Sequence, residues 1–488
     1  MFLIPMSFPT HIPRFIGIYY SRGMNVNEQR VVLKFGGTSV GSSTNMAKAI
    51  DKIIKAKEEY DEVVVVLSAI SGVTNLLLYA GRSALYKRPK DTLLQLKEKH
   101  YEACDVIPDT KLKMQTILEI DEMLMELEKI LTGVFYVGEV TPRSLDHIVS
   151  FGERLSTLIV ARGLKARGVK SDNIDAAEVV VTDAAFMNAT VDFEKTEERA
   201  REKIEPLLKQ GIIPIITGFI GASANGQRTT LGRGGSDYSA AIFGDVLHSK
   251  EVWIMTDVDG VMSCDPRLVE DAYLLDELSY LEAMELAYFG AKVIHPKTLE
   301  AAKRKKIPIL IKNTFSDSPG TLIRAAREGE RKVVKSISIF KDASIVEIKG
   351  YGIGKAARVM KEIFHSMEEG QINVMMVTQG SSQANVSFVV PSDDVKTVKK
   401  LLLRQYYERF NVIDGISVVS IVGEGMSETA GMAARFFKAV AAQGVNNMMI
   451  SQGSSEVSIN VAILEDDMQS AVTALHDEFL SPSKRASA

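Results

Sequence analysis

The sequence predicts an α/β protein in two parts: a mostly parallel β-sheet sandwiched by helices, then two small ferredoxin-like βαββαβ modules. The first part is predicted by short unbroken aliphatic runs, such as VVL at 31–33 and VVVVL at 63–67, that alternate with longer amphipathic stretches. Strands apolar on both faces belong to a parallel sheet covered by helices on both sides. The second part is predicted by a repeat. INVMMVTQGSSQANVSFVV at 372–390 matches VNNMMISQGSSEVSINVAI at 445–463, with Gln379 and Gln452 73 residues apart. A period of that length marks a repeated structural unit.

In order along the chain, residues 31–35 read as the first strand, ending at Gly36-Gly37, with a helix from about 44 to 59. A second buried strand covers 63–68, and further strands are expected at 179–181, 212–217, 251–256 and 308–311. Residues 91–133 carry no strand pattern and read as an insertion of two charged amphipathic helices. The α/β domain thus covers about 29–325, and the charged stretch AAREGERKVVK after Arg324 marks its boundary. The repeats give a first module at 333–412 and a second at 413–481. The second copy lacks a strand after its last helix, while 333–341 is a spare strand ahead of the first copy. Copy one is therefore expected to be inserted within copy two.

Residues 1–28 read as an N-terminal extension. Pro5, Pro9, Pro13, His11 and Arg14 interrupt its apolar run, which falls short of the ~20 residues of a membrane helix. The charge, apolar stretch and cleavage site of a signal peptide are missing too. Translation from Met24 is the preferred reading, with an ordered arm as the alternative. The 488 residues suit about three domains. A net charge of −4 makes no electrostatic case for nucleic acid or an acidic membrane surface. Two cysteines, Cys104 and Cys264, form no disulfide framework, so the cytoplasm is expected.

Five segments carry candidate chemistry. In VVLKFGGTSVGSS a strand brings up Lys34, and Gly36 and Gly37 let main-chain amides approach a phosphate, followed by Thr38 and Ser39. The order differs from a Walker loop, where lysine follows the glycines. In TTLGRGGSDYSAA, Arg233 stands between glycines, able to fork onto a carboxylate or phosphate, and Ser236-Asp237 opens a helix. The alternative there is a simple aspartate cap. In SFGERLS, Glu153 lies in an apolar run and needs a cation, either the neighbouring Arg154 or another arginine, or the ammonium of an amino acid. In WIMTDVDGVMSCDPR, Asp257, Asp259, Asp265 and Arg267 follow a strand, at the edge where α/β sheets bind ligands. Cys264 has no histidine near it in sequence and reads as a lining residue. GAKVIHP puts Lys292 and His295 after a helical segment, suited to contacting a nucleotide, with a lone surface lysine as the alternative. GYGIGK at 350–355 imitates a nucleotide loop but has the wrong glycine spacing, and no HExxH or other thiol or imidazole metal motif occurs.

KFGGTSV, SFGERLS, GRGGSD, TDVDG with DPR, and GAKVIHP, in this order and followed by the QGSS repeat, resemble the aspartate kinases of the amino acid kinase family over about residues 30–480. The resemblance implies an amino acid kinase fold with tandem regulatory ACT modules, and ATP-dependent phosphorylation of the L-aspartate side chain with Mg²⁺. By that resemblance Lys34, Asp237 and Arg233 would be catalytic, Lys34 bridging the ATP phosphates and Asp237 orienting it. Ser39, Thr74, Glu153, Arg233, Gly235 and Ser236 would bind substrate, Glu153 taking its ammonium and Arg233 a carboxylate. Lys34, Gly36, Gly37, Thr38, Thr256, Asp257, Met262, Arg267, Lys292 and Val293 would bind nucleotide; the family often has tyrosine where Met262 stands. An ionised carboxylate acceptor needs no general base, which agrees with the absence of a serine or histidine nucleophile.

Rival readings are another member of the fold, such as an acetylglutamate, glutamate 5- or uridylate kinase, and a non-catalytic amino-acid sensor. The helical insertion and tandem repeat argue against the first, and Lys34, Arg233 and Asp237 against the second. The length leaves no room for a dehydrogenase after the second repeat, so a monofunctional enzyme is expected. Lysine or threonine is the expected effector, with Ile353, Gln379 and Asn385 as its contacts, and a homodimer or homotetramer through the repeat modules. Lysine, threonine and methionine would be the pathway products.

Overall fold

The computed structural model describes residues 27–290, 294–326, 332–349, 356–379, 385–406 and 410–481. The chain opens with β1 (Asn27–Phe35), α1 (Ser43–Glu59), β2 (Glu62–Leu67) and α2 (Val73–Ser83). The insertion follows as α3 (Lys90–Ala103) and α4 (Thr110–Val137), then α5 (Pro142–Val149) and α6 (Phe151–Ala166). Next come β3 (Ser171–Ile174), β4 (Val181–Thr182), α7 (Phe193–Lys203), α8 (Glu205–Lys209), β5 (Ile213–Thr217), β6 (Ile220–Ser223) and β7 (Arg228–Thr230). The domain closes with α9 (Gly235–Val246), β8 (Ser249–Thr256), β9 (Glu277–Ser279), α10 (Tyr280–Tyr288), α11 (Pro296–Arg304), β10 (Ile309–Asn313) and β11 (Thr321–Arg324).

The main sheet has the order β3-β5-β2-β1-β8-β10-β11-β9, parallel except where β11 meets β10. Its central strand explains the double-sided core. Val31, Leu33 and Phe35 point into a cluster with Ile50, Leu77 and Ile159, while Val32 points the other way, among Val252, Phe243 and Leu299. All four β1 residues are fully buried, as the unbroken aliphatic run requires. The insertion packs on the first of these clusters through Leu96, Ile120, Leu127 and Leu131. Asp109 caps α4 by accepting from the Leu112 amide at 2.7 Å.

One expected strand is corrected. Residues 179–181 add no strand to the parallel sheet; only Val181–Thr182 is extended, in a separate sheet of order β4-β6-β7. Val179 and Val180 are buried, but their amides both bond the Ala176 carbonyl in a turn. The apolar run there reports burial, not extension.

The rest of the chain is β12 (Ser336–Lys349), α12 (Ala356–Glu369), β13 (Met376–Gln379), β14 (Asn385–Pro391), α13 (Val395–Tyr406), β15 (Phe410–Val422), α14 (Met432–Ala441), β16 (Met449–Gln452), β17 (Ser458–Leu464) and α15 (Met468–Phe479). The strands form one antiparallel sheet, β13-β14-β12-β15-β17-β16. β12 serves both repeats. Its first half pairs Ser336 with Val422 and Phe340 with Val418, next to β17; its second half pairs Ala343 with Pro391 and Lys349 with Asn385. The strand ahead of the first repeat therefore lies in the sheet half of the second.

The two parts are joined by packing. Phe289, just past α10, is buried among Ala343, Ile345, Met376, Val389 and Ile416 of the antiparallel sheet. Glu282, almost fully buried, caps α10 together with Ser279 and also accepts from Lys335 Nζ at 2.8 Å and the Glu424 amide at 3.0 Å.

Candidate active site

At the carboxyl end of β1, Lys34 is nearly buried and its Nζ lies 2.5 Å from Asp237 Oδ1. Gly36 follows directly beneath: a Cβ there would lie 3.4 Å from Lys34 Nζ. A Cβ on Gly37 would lie 3.0 Å from the Ala69 carbonyl oxygen, so the glycine pair brings the main chain of two loops together. Thr38 is exposed beside them. Asp237 stands in the first turn of α9, whose cap is Gly234 in the left-handed region (φ 68°) with no side-chain bond. Asp237 therefore does not cap its helix. It is committed to Lys34, at the positive end of the helix.

Arg233 is exposed on the turn leading into α9. The turn is held from two sides: Gly232 (φ 80°) abuts Asn188, and a Cβ on Gly234 would collide with the His295 side chain at 2.4 Å. Burial depresses the basicity of His295, which caps α11 by accepting from the Lys297 amide at 3.3 Å. Ser236 and Gly235 sit against two residues that the motifs do not reveal. A Cβ on Gly218 would meet the Ser236 Cβ at 2.8 Å and the Leu67 carbonyl at 2.9 Å, and one on Gly235 would meet Phe219 at 2.5 Å. Phe219 holds a positive φ of 65° and donates its amide to Ser239 Oγ at 2.9 Å. TGFIG at 217–221 is an isolated glycine-aromatic cluster after a strand, and that was its available signal.

Glu153 opens α6, is 3% exposed and accepts the Ala69 amide at 3.1 Å through Oε1. Its other oxygen is buried without a partner, and among the described residues no cation lies within ion-pair distance. Arg154 turns away, to Glu126 at 3.3 Å, Asp175 at 3.9 Å and the Phe151 ring. Burial pushes the Glu153 carboxyl up to about 8, against the lowering effect of the Ala69 bond. Thr74, half-buried in the first turn of α2, follows the same loop that supplies Ala69. Because Gly37 touches Ala69, the carboxylate borders the glycine loop below Lys34.

A cavity of about 760 Å³ lies beyond β8. Thr256, Asp257, Met262 and Arg267 line it together, with Cys264 and residues 336–342 of β12 as the opposite wall. Arg267 bonds Asp265 through Nε at 3.0 Å and Nη2 at 2.7 Å, and holds that carboxyl below its usual range. Asp259 accepts from Asn313 at 2.8 Å and Ser316 at 2.6 Å, fixing the loop to the end of β10. Cys264 is buried and its thiol is pushed up to about 11, as expected of a lining residue. The Gly36 amide donates to the Met255 carbonyl at 3.2 Å, so this cavity adjoins the glycine loop.

Ser39 departs from expectation. It is fully buried and its hydroxyl lies 2.8 Å from Thr314 Oγ1, so its side chain ties the loop to the segment after β10. Lys292, Val293 and Ile353 lie outside the described residues. Gln379 is exposed at the end of β13 opposite Val386, next to Asn385 at the start of β14. Among the described residues no cluster of three or more metal-ligating side chains occurs, and no helix is long and apolar enough to cross a membrane.

Comparison with known proteins shows the family. The chain matches the amino acid kinase family over residues 29–313 and the ACT domain over 346–406 and 419–479. It is 32% identical over 466 residues to aspartokinase 1, chloroplastic, of Arabidopsis thaliana, covering 92% of this chain and 80% of that one. It has the same identity to the bifunctional aspartokinase/homoserine dehydrogenase of Haemophilus influenzae, but spans only 57% of its length. The structure of E. coli aspartokinase III in complex with aspartate and ADP superposes with a TM-score of 0.78 at 28% identity, covering 92% of this chain and all of that one. The same enzyme with lysine and aspartate gives 0.80 at 27%. The chain belongs to the aspartokinases of the amino acid kinase family.

Proposed function

We propose that this chain transfers the γ-phosphoryl group of ATP to the side-chain carboxylate of L-aspartate, giving 4-phospho-L-aspartate. The observation that carries the reading is Glu153: a buried carboxylate with one bare oxygen and no cation of its own is completed by the substrate ammonium. Arg233, on the glycine turn across from it, takes the substrate α-carboxylate as a fork. Thr74, Gly235 and Ser236 line the space between. The aspartate side chain is ionised at neutral pH, so attack needs alignment and charge neutralisation, not a base. Lys34, held by Asp237, supplies a fixed positive charge to the transferring phosphoryl group, and the amides at Gly36, Gly37 and Thr38 cradle the phosphates. Thr256, Asp257, Met262 and Arg267, which line one cavity, receive the nucleoside.

Magnesium enters with ATP as part of the nucleotide substrate; phosphate oxygens and water make up most of its ligands in such sites. The acetylglutamate alternative is disfavoured on the same observation, because an N-acetyl group brings no charge to Glu153.

The ACT modules are read as the regulatory part, with lysine or threonine as effector at Gln379, Asn385 and the Ile353 loop, in a cytoplasmic homo-oligomer serving lysine, threonine and methionine synthesis. E. coli aspartokinase III, of like architecture, has been solved with lysine bound. Release of ADP should be followed with aspartate, glutamate, N-acetylglutamate and uridylate as acceptors. Aspartate alone should support turnover, inhibitable by lysine or threonine at millimolar concentration. Equal turnover with N-acetylglutamate would overturn the assignment of Glu153.

A further inference from the structure

Asp146 lies in α5, seven residues before Glu153, with its side chain fully buried. Among the described residues no cation lies within ion-pair distance of it. Instead Oδ2 accepts the Met187 amide at 2.9 Å and the Thr230 amide at 3.1 Å, and Oδ1 accepts the Thr230 hydroxyl at 2.6 Å. Burial pushes its carboxyl above the usual range and the three bonds oppose that. Both bonded segments lead to the arginine turn. Thr230 ends β7, and only Leu231 and Gly232 separate it from Arg233. Met187, strained at φ 71°, precedes Asn188, which abuts Gly232 and accepts from Lys297 Nζ at 2.5 Å. The Ala189 amide bonds the Thr230 carbonyl at 2.9 Å, tying the two segments to each other. On its own side, α5 passes into α6 through Ser150 alone, so the Asp146 helix and the Glu153 helix are adjacent.

We infer that Asp146 is a positioning residue, which fixes the Arg233 turn against the helices that carry Glu153 and so sets the separation of the two groups that take the ammonium and the carboxylate of the substrate. The inference rests on the substrate roles proposed for Glu153 and Arg233. Lys34, Asp237 and the nucleotide cavity stand on β1, α9, β8 and β12, and none of them bonds Asp146. Removing the carboxylate thus moves one clamp and leaves the phosphate side in place; an error near 1 Å in such a clamp is worth up to ~100-fold.

The test is steady-state kinetics on the full chain, varying aspartate and ATP separately, for Asp146→Ala, Asp146→Asn and Thr230→Val. Asp146→Ala should raise the aspartate KM about tenfold or more and leave the ATP KM within about twofold. Asp146→Asn should hold the aspartate KM within about threefold, because its oxygen can accept both amides while its NH₂ donates to the Thr230 hydroxyl. Thr230→Val should raise it about threefold, and this milder change carries the test if Asp146→Ala fails to fold. Equal rises in both KM values, an unchanged aspartate KM, or an Asp146→Asn enzyme as impaired as Asp146→Ala would each overturn the inference. Glu153→Gln and Arg233→Ala run alongside: if they raise the aspartate KM and the Asp146 series does not, the positioning role alone fails. If neither raises it, the substrate reading fails and the inference goes with it.

Discussion

Two carboxylates beside the ends of the central strands differ in their partners. Asp237 holds a lysine at 2.5 Å, whereas Glu153 is more deeply buried and holds nothing cationic. Both are aimed from the first turn of a helix at the same group of strand ends, so the difference is one of purpose and not of place. On the roles proposed above, the phosphate side is preorganised before ATP arrives, since its charge has to be aligned during transfer, and the ammonium side stays incomplete, since a built-in cation would compete with the substrate. A lone buried carboxylate costs the free fold stability, and that cost is relieved on binding.

The largest expected effect comes from removing the built-in pair. Lys34→Ala should lower kcat by about 10³-fold or more while the aspartate KM changes by less than about threefold. A comparable rise in aspartate KM would mean that the two sides are not separable as described. Glu153→Gln should do the reverse, raising the aspartate KM about 100-fold with a smaller effect on kcat.

The Glu153 carboxyl, pushed up to about 8 by burial, also gives a pH signature. Its folded value exceeds its unfolded one, so the ligand-free protein loses stability as pH rises from about 4.5 towards 8. Substrate ammonium favours the ionised form. Aspartate binding at pH 7 should therefore release close to one proton, measurable by calorimetry in buffers of different ionisation enthalpy, and affinity should weaken as pH falls below 8. In the absence of ligand, Glu153→Gln should melt about 3 °C higher than the parent at pH 8, and show no such gain at pH 5. A proton-neutral binding event would place Glu153 already ionised and break the contrast with Asp237.

The contrast was half visible in the sequence. Lysine before paired glycines, arginine between glycines and glutamate in an apolar run are local patterns, and each of these residues is placed by its own strand end or helix start. What the sequence left open was the partner. Arg154 is Glu153's neighbour in the chain, yet the α6 helix turns it outward to Glu126 and Asp175. Long-range supports stayed hidden for the same reason. Asp146 meets Thr230 across 84 residues, Ser39 meets Thr314 across 275, and Gly218 matters only because Ser236 packs on it. The strand patterns told burial reliably and extension less so, as the turn at Val179-Val180 shows. The spare strand before the first repeat was readable because a βαββαβ unit short of one strand must obtain it elsewhere, and 336–340 pair with β15 at 418–422.

The smallest effect tests how far the preorganised side extends. Met262 is half-buried, its main chain bridges to Leu274, and it lines the cavity with Thr256, Asp257 and Arg267. On the nucleotide role proposed for this cavity, a thioether there offers the base a pliable contact, whereas an aromatic ring offers a stacking face worth about 1 kcal/mol. Met262→Tyr should therefore lower the ATP KM about fivefold. The backbone bridge holds the loop whichever side chain it carries, so the aspartate KM and kcat should stay within about twofold. If the ATP KM is unmoved, the base does not lie against Met262, and the cavity wall formed by residues 336–342 becomes the surface against which it packs.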